Sequence, residues 1–187
     1  SGLQWTVGAY TVVMASLLMF SGSIADRFGR KRILMLGVSI FTLGSLMCGL
    51  APSIGFLIAA RVLQAVGGSM MNPVAMSIIT NTFTDPRERA QAIGVWGAVF
   101  GVSMALGPIL GGTLVSFIDW RAIFWAMLAW TVLMLALCAR MLPETLPVAQ
   151  RHALHPRALW RNYRAVVTQP KFVLLALVPA FNFCGFF

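Results

Sequence analysis

Charge is scarce in this sequence: 10% of its 187 residues are Asp, Glu, Lys or Arg, where a soluble domain carries about 25%. Acids are scarcer still, 5 in all, and none of them lies within an apolar run. Neither His does. A membrane metalloprotease or a carboxylate-dyad enzyme would need such groups in its spans, so no catalytic constellation and no enzyme is expected. No phosphate-binding loop appears, so no nucleotide energy source is encoded and no cofactor is expected. Cysteine is limited to Cys48, Cys138 and Cys184, each inside an apolar run and without a CxxC pair. That pattern argues against a disulfide framework or a metal site and favours buried thiols. A basic n-region with a cleavage site is lacking, and so is a starting Met. Phe186 and Phe187 fall inside an apolar run. Both ends therefore read as cut.

Apolar residues are what the sequence has most of: 59% are hydrophobic and the mean hydropathy is +0.83. A membrane-spanning helix needs about 20 mostly apolar residues. Residues 1–25 carry no charge, which predicts a span over Trp5 to Ile24. The uncharged run from Ile33 to Ala60 is too long for one span, and Ala51-Pro52-Ser53 breaks it with turn chemistry. Spans follow over 33–51 and 54–79, the latter holding Arg61, and then over 90–116 and 122–139. A basic stretch from Arg140 to Lys171 precedes another apolar run beginning at Phe172. The fold class predicted is all-α, a polytopic membrane helix bundle.

The net charge of +9 tests this topology. Arg27, Arg30, Lys31 and Arg32 lie in the first loop, Arg87 and Arg89 in the third, and Arg140, Arg151, Arg157, Arg161, Arg164 and Lys171 in the last. If each span crosses once, these loops share one side, and the other side keeps Arg121. The positive-inside rule makes the basic side cytoplasmic. Residues 25–32, 80–89 and 140–171 are then cytoplasmic and 117–121 external. Without the break at Pro52 the parity fails. Trp5, Trp120 and Trp125 fall at outer ends, as an interfacial aromatic belt requires. The basic balance thus reads as membrane orientation and not as nucleic-acid binding. Residue 1 starts outside without a signal, so an earlier span is expected upstream.

Three stretches stand out. Gly22-Ser23-Ile24-Ala25-Asp26-Arg27-Phe28-Gly29-Arg30-Lys31-Arg32 joins two antiparallel spans. Gly22 lets a helix end approach a neighbour, Gly29 permits a tight turn, and Asp26 and Arg30 can pair with each other or a helix end. On charge alone the plainer reading is a positive-inside anchor. Arg61 lies about 10 Å inside its span at 1.5 Å per residue, with Gln64 on the same face and Gly67 and Gly68 beyond. An intramembrane Arg usually faces a cavity or the bundle interior; the alternative is snorkelling to the interface. The span over 90–116 carries Gly94, Gly97, Gly101, Ser103, Gly107, Pro108, Gly111 and Gly112. Small residues allow close helix packing, and Pro108 kinks its helix.

These stretches together resemble the major facilitator superfamily of transporters. Gly22, Asp26, Arg27, Gly29, Arg30 and Lys31 are similar to motif A between its helices two and three, with Ile24 where the family often has Leu. The resemblance implies a cytoplasmic gate in which Asp26 and Arg30 make charge contacts. Arg61, Gln64 and Gly67 resemble motif B on helix four, which implies proton coupling. Gly94, Gly107, Pro108, Gly111 and Gly112 resemble the antiporter motif C on helix five, where Ser103 replaces a usual Gly. Asp119-Trp120-Arg121 with Ile123-Phe124 resembles the outer loop before helix six of drug exporters. Leu142-Pro143-Glu144-Thr145-Leu146-Pro147 and Arg161-Asn162-Tyr163 resemble the connector of the bicyclomycin-resistance type. Gln4-Trp5 and Tyr10 resemble the fourteen-helix exporters instead. The resemblance covers nearly the whole chain.

It implies the N-terminal half of a transporter. Residues 1–142 would hold helices two to six, with helix one missing. Residues 143–170 would form a cytoplasmic connector, and 171–187 the start of helix seven. Within the connector, Arg157, Arg161 and Arg164 share one helical face and Trp160, Tyr163 and Val167 another, which predicts a basic amphipathic helix. The function implied is multidrug efflux by proton antiport, in a plasma or inner membrane, by a monomer whose partners are an amphipathic small molecule, protons and lipid. Tyr10, Met14, Met70, Met71 and Met104 are cavity candidates, since flexible Met suits permissive apolar binding. A metabolite or sugar transporter on the same fold, or a membrane sensor or scaffold, are the alternatives.

Overall fold

The computed structural model describes residues 2–142, all in one compact unit. The described elements are α1 (Gly2–Phe28), α2 (Arg30–Gly49), α3 (Ile54–Thr82), α4 (Pro86–Phe117) and α5 (Arg121–Met141), with no strand among the described residues. The connector and the apolar run after it lie outside the described residues. The helices α2 to α5 are each long and apolar enough to cross a membrane. α1 adds a fifth crossing if its arms Gln4–Leu18 and Phe20–Phe28, bent by 48°, form one span.

The helices run past the spans predicted from apolarity. α3 has 29 residues and α4 has 32, so each is well over 40 Å long at 1.5 Å per residue. The polar stretch 80–89, expected as a loop, is mostly helix. Thr82 ends α3, and Asp85 begins α4 as an N-cap, its carboxylate accepting from the backbone N–H of Arg87 at 2.8 Å and Glu88 at 3.1 Å. Pro86 takes the first helical position, where its missing N–H costs nothing. Arg89 donates back to the carbonyls of Phe83 at 3.0 Å and Thr84 at 3.4 Å, which fixes the turn. The break at Pro52 is present: Ser53 caps α3 by accepting from the Phe56 N–H at 3.3 Å.

Packing is between α1 and α3, α2 and α3, and α2 and α5. The contacts are made by small residues. A Cβ on Gly67 would sit 2.5 Å from the Phe41 nitrogen and 2.6 Å from the Gly37 carbonyl oxygen, and one on Gly44 would sit 2.8 Å from Gln64 Cα. Gly37 and Gly44, two turns apart on α2, thus let its backbone lie directly on α3. Toward one end, Cys48, Ala51, Leu57 and Ala60 form a core with Met47, Trp120 and Phe124 around it. Toward the basic end, Ala25, Ile33 and Val74 do the same with Ile24, Leu34, Met70 and Ile78. Polar and apolar residues share the interior: Ser21, Ser45, Gln64 and Ser69 are buried, while Val12, Phe20, Ile109 and Leu110 are exposed. An apolar exterior suits helices surrounded by lipid hydrocarbon.

Candidate functional site

Arg61 stands at the meeting of α1, α2, α3 and α5. Its Nη1 donates to Gln64 Oε1 at 2.7 Å and its Nε to the Thr6 carbonyl at 3.5 Å. The guanidinium lies over the Tyr10 ring, 4.3 Å from its centroid, with the Phe124 ring at 5.9 Å. A cation over an aromatic face is attracted by the ring quadrupole, more so away from water. Two rings and the buried Gln64 amide hold the side chain against the inside of the bundle. Gln64 is fully buried. Its Nε2 donates to Ser45 Oγ at 2.8 Å and meets Met127 Sδ at 3.8 Å. Ser45 Oγ in turn donates to the Phe41 carbonyl at 2.9 Å. A chain of hydrogen bonds therefore runs from α2 through α3 to the Arg61 charge. Gly67 and Gly68 border it, and a Cβ on Gly68 would come 3.1 Å from the Tyr10 hydroxyl.

The charged turn between α1 and α2 is tighter than a loop. Only Gly29 leaves helical geometry, at φ 101°, where a side chain would be strained. Asp26 and Arg30 pair across it, with Arg30 Nη2 and Nε at 3.1 and 3.3 Å from Asp26 Oδ1. Asp26 lies in the last turn of α1 and Arg30 opens α2, so each charge sits at the helix end that disfavours it. The pair offsets both. Lys31 Nζ donates to the Ala139 carbonyl near the end of α5 at 3.2 Å. Arg27 is exposed and lies 5.1 Å from the Phe28 ring centroid. Gly22 does not make the close approach its position suggested: a Cβ there would meet Pro73 Cβ at 3.9 Å, an ordinary contact. At the far end, Arg121 pairs with Asp119 at 3.6 Å, donates to the Ala51 carbonyl at 3.0 Å and lies over the Trp120 ring at 4.4 Å.

The close packing expected of the α4 glycines is not found among the described residues. A Cβ added at Gly94, Gly107, Gly111 or Gly112 would meet nothing within 4 Å. α4 buries none of its residues. Ser103 turns its hydroxyl back to the Val99 carbonyl at 2.8 Å, and Pro108 lies within the helix. The cavity candidates do not gather either. Met104 is 65% exposed on α4, far from burial, and Met70 packs in the basic-end core. Met71 borders an apolar cavity of about 250 Å³ with Phe41, Met127 and Trp130, and of these Met127 also meets Gln64. Met14 is half-buried on α1, and Tyr10 alone joins Arg61. Sequence reasoning missed Ser45, Gly44 and the Thr6 carbonyl, and placed Phe124 with an outer-loop motif without joining it to Arg61. The seven-residue spacing of Gly37 and Gly44, with Ser45 beside the latter, was the available signal.

The comparisons agree with this architecture. Residues 1–187 match the family model described as Major Facilitator Superfamily. The Multidrug resistance protein Stp of Mycobacterium tuberculosis (strain CDC 1551 / Oshkosh) is 42% identical over 139 residues, 73% of this chain and 26% of that protein. The Methylenomycin A resistance protein of Streptomyces coelicolor is 37% identical over 158 residues, 84% of this chain and 33% of that protein. The chain thus spans about a quarter to a third of the length of these curated relatives. Among solved structures, a peptide transporter POT (E310Q mutant) with alafosfalin matches at TM-score 0.63 and 18% identity, covering 92% of this chain and 38% of that one, a likeness of fold. The chain is a multi-pass plasma-membrane protein of the Major Facilitator Superfamily, and its fold is the N-terminal half of that transporter architecture.

Proposed function

We propose that the full-length protein exports amphipathic, drug-like molecules in exchange for protons, acting as a monomer, and that α1 to α5 are its second to sixth helices. The Arg61–Gln64 network carries the reading. A permanent cation within an apolar bundle is costly, and here Arg61, half-buried, is held by groups from two helices besides its own. Arg stays protonated across the working pH range, so it tunes a proton carrier and does not serve as one. Asp26, Asp85, Glu88 and Asp119 lie at helix ends and turns. The carrier is therefore an Asp or Glu outside α1–α5, whose ionised form Arg61 favours until protons or substrate compete. Names of drug-resistance relatives support the substrate class. The basic residues support a cytoplasmic side at 25–32, 80–89 and 140–171. The Asp26–Arg30 pair, each charge at its unfavourable helix end, suits a gate contact made in one transport state and released in the other.

The test is full-length protein in proteoliposomes with an imposed pH gradient and a fluorescent cationic dye. Dye movement that follows the gradient, and stops when an ionophore collapses it, is expected. Dye movement indifferent to the gradient overturns proton exchange, and movement of sugars but not dyes overturns the substrate class.

A further inference from the structure

Ser45 belongs to none of the resemblances and has no charge. It is 1% exposed on α2, and its hydroxyl has a single proton. That proton goes to the Phe41 carbonyl, 2.9 Å away on the same helix. The oxygen facing α3 can therefore only accept, so the fully buried Gln64 amide must turn its NH2 group toward Ser45, at 2.8 Å. The other end of the amide, Oε1, is then held against Arg61 Nη1 at 2.7 Å. The opposite amide orientation would set the NH2 group against the guanidinium, donor on donor, and the carbonyl oxygen against a hydroxyl oxygen whose proton is already committed. From this geometry we infer that Ser45 is a positioning residue for the coupling Arg: its hydroxyl sets the orientation of Gln64, and Gln64 sets the direction of the Arg61 guanidinium.

The inference rests on the proton-exchange reading above. The titratable groups close to Arg61 are Tyr10 on α1 and Cys48 on α2, and both are intact in every variant used. Without the Ser45 hydroxyl the amide keeps its Arg61 contact but loses its anchor on α2, so the acceptor that Arg61 meets is less firmly fixed and the cation holds its bearing toward the carrier acid less well. The ionised carrier is less favoured, so protonation occurs at higher pH. Loss of one hydrogen bond between neutral groups corresponds to an alkaline shift of about half a unit to one unit.

Dye export by full-length protein in proteoliposomes is measured from pH 5.5 to 9, as an assay range, for native protein, Ser45→Ala, Ser45→Cys, Gln64→Leu, Arg61→Ala and the double variant Ser45→Ala/Gln64→Leu. Ser45→Ala should move the midpoint alkaline, and Ser45→Cys, which keeps the size but supplies a weak acceptor, should move it the same way by less. In the Gln64→Leu background Ser45→Ala should add nothing, because the two act through one contact. If Ser45→Ala does not accumulate in the membrane, Ser45→Cys carries the comparison. An unmoved midpoint in the Ser45 variants, while Arg61→Ala changes transport, overturns the positioning role and leaves proton exchange standing. A full Ser45→Ala effect in the Gln64→Leu background also overturns it, assigning Ser45 to packing. Native transport by Arg61→Ala instead overturns the reading on which the inference rests.

Discussion

Gly44→Ala is the sharpest perturbation of the α2–α3 contact that holds Gln64. The added Cβ would lie 2.8 Å from Cα, Cβ and N of Gln64 at once. Carbon atoms pack at about 3.5–4.0 Å, so the helices must separate by close to an ångström. None of the three atoms is the end of a flexible side chain. Overpacking of this kind costs about 1–3 kcal/mol. The same separation stretches the 2.8 Å bond from Gln64 to Ser45 beyond useful length, and a buried amide left unpaired costs about 1–3 kcal/mol more. Ala gains up to about 1 kcal/mol over Gly in helix propensity, so the net loss is about 1–5 kcal/mol. Gly55→Ala is the control, because a Cβ there meets nothing within 4 Å. The assay is thermal unfolding of detergent-solubilised full-length protein, followed by the fraction that remains monodisperse. Gly44→Ala should melt well below native and Gly55→Ala at or above it. Equal melting of the two variants would refute the close contact and the Gln64 geometry built on it.

Asp26→Asn should impair dye export more than it lowers the melting temperature. The pair is half-exposed on the Asp side, where such ion pairs contribute about 0–1 kcal/mol; native export would make Asp26 a turn residue. Asp85→Ala removes the α4 cap that accepts from Arg87 and Glu88, at a cost of about 1 kcal/mol, read as faster proteolysis between Thr82 and Arg89; unchanged proteolysis would mean the cap is dispensable. A Cys placed at position 85 in a Cys-free background should resist an impermeant reagent applied to intact cells, and labelling from outside would invert the topology. Gly107→Leu and Gly111→Leu fill space that α1–α5 leave open, so reduced export with normal insertion would report a partner beyond these helices, and normal export from both would leave the face toward lipid.

The spans and the Pro52 break were legible because apolar runs and turn residues mark them directly. The helix ends were not. Hydropathy reports which residues sit in hydrocarbon, whereas backbone hydrogen bonding continues into charged sequence, so Asp26 to Phe28, Arg30 to Arg32 and Pro86 to Arg89 are helical despite their polarity. Arg61 and Gln64 announced themselves by being polar inside an apolar run. Ser45 did not, because a small polar residue in a span ordinarily bonds its own helix, and it does that here as well. Its second contact depends on the helix crossing at Gly44, which no single-helix pattern encodes. For α4 the small-residue face was legible but its packing was not, since a face requires a partner and α1–α3 and α5 do not supply one.

The central claim is that Arg61 acts on a proton carrier through this network. Proton release from detergent-solubilised full-length protein on addition of a dye substrate, in lightly buffered solution, tests it most directly. Native protein should release protons as substrate displaces them from the carrier. Arg61→Ala should release none or far fewer, and Arg61→Lys, which keeps the charge but loses the planar fork, should fall between. Release and export in Arg61→Ala equal to native would contradict the account and return Arg61 to a structural role.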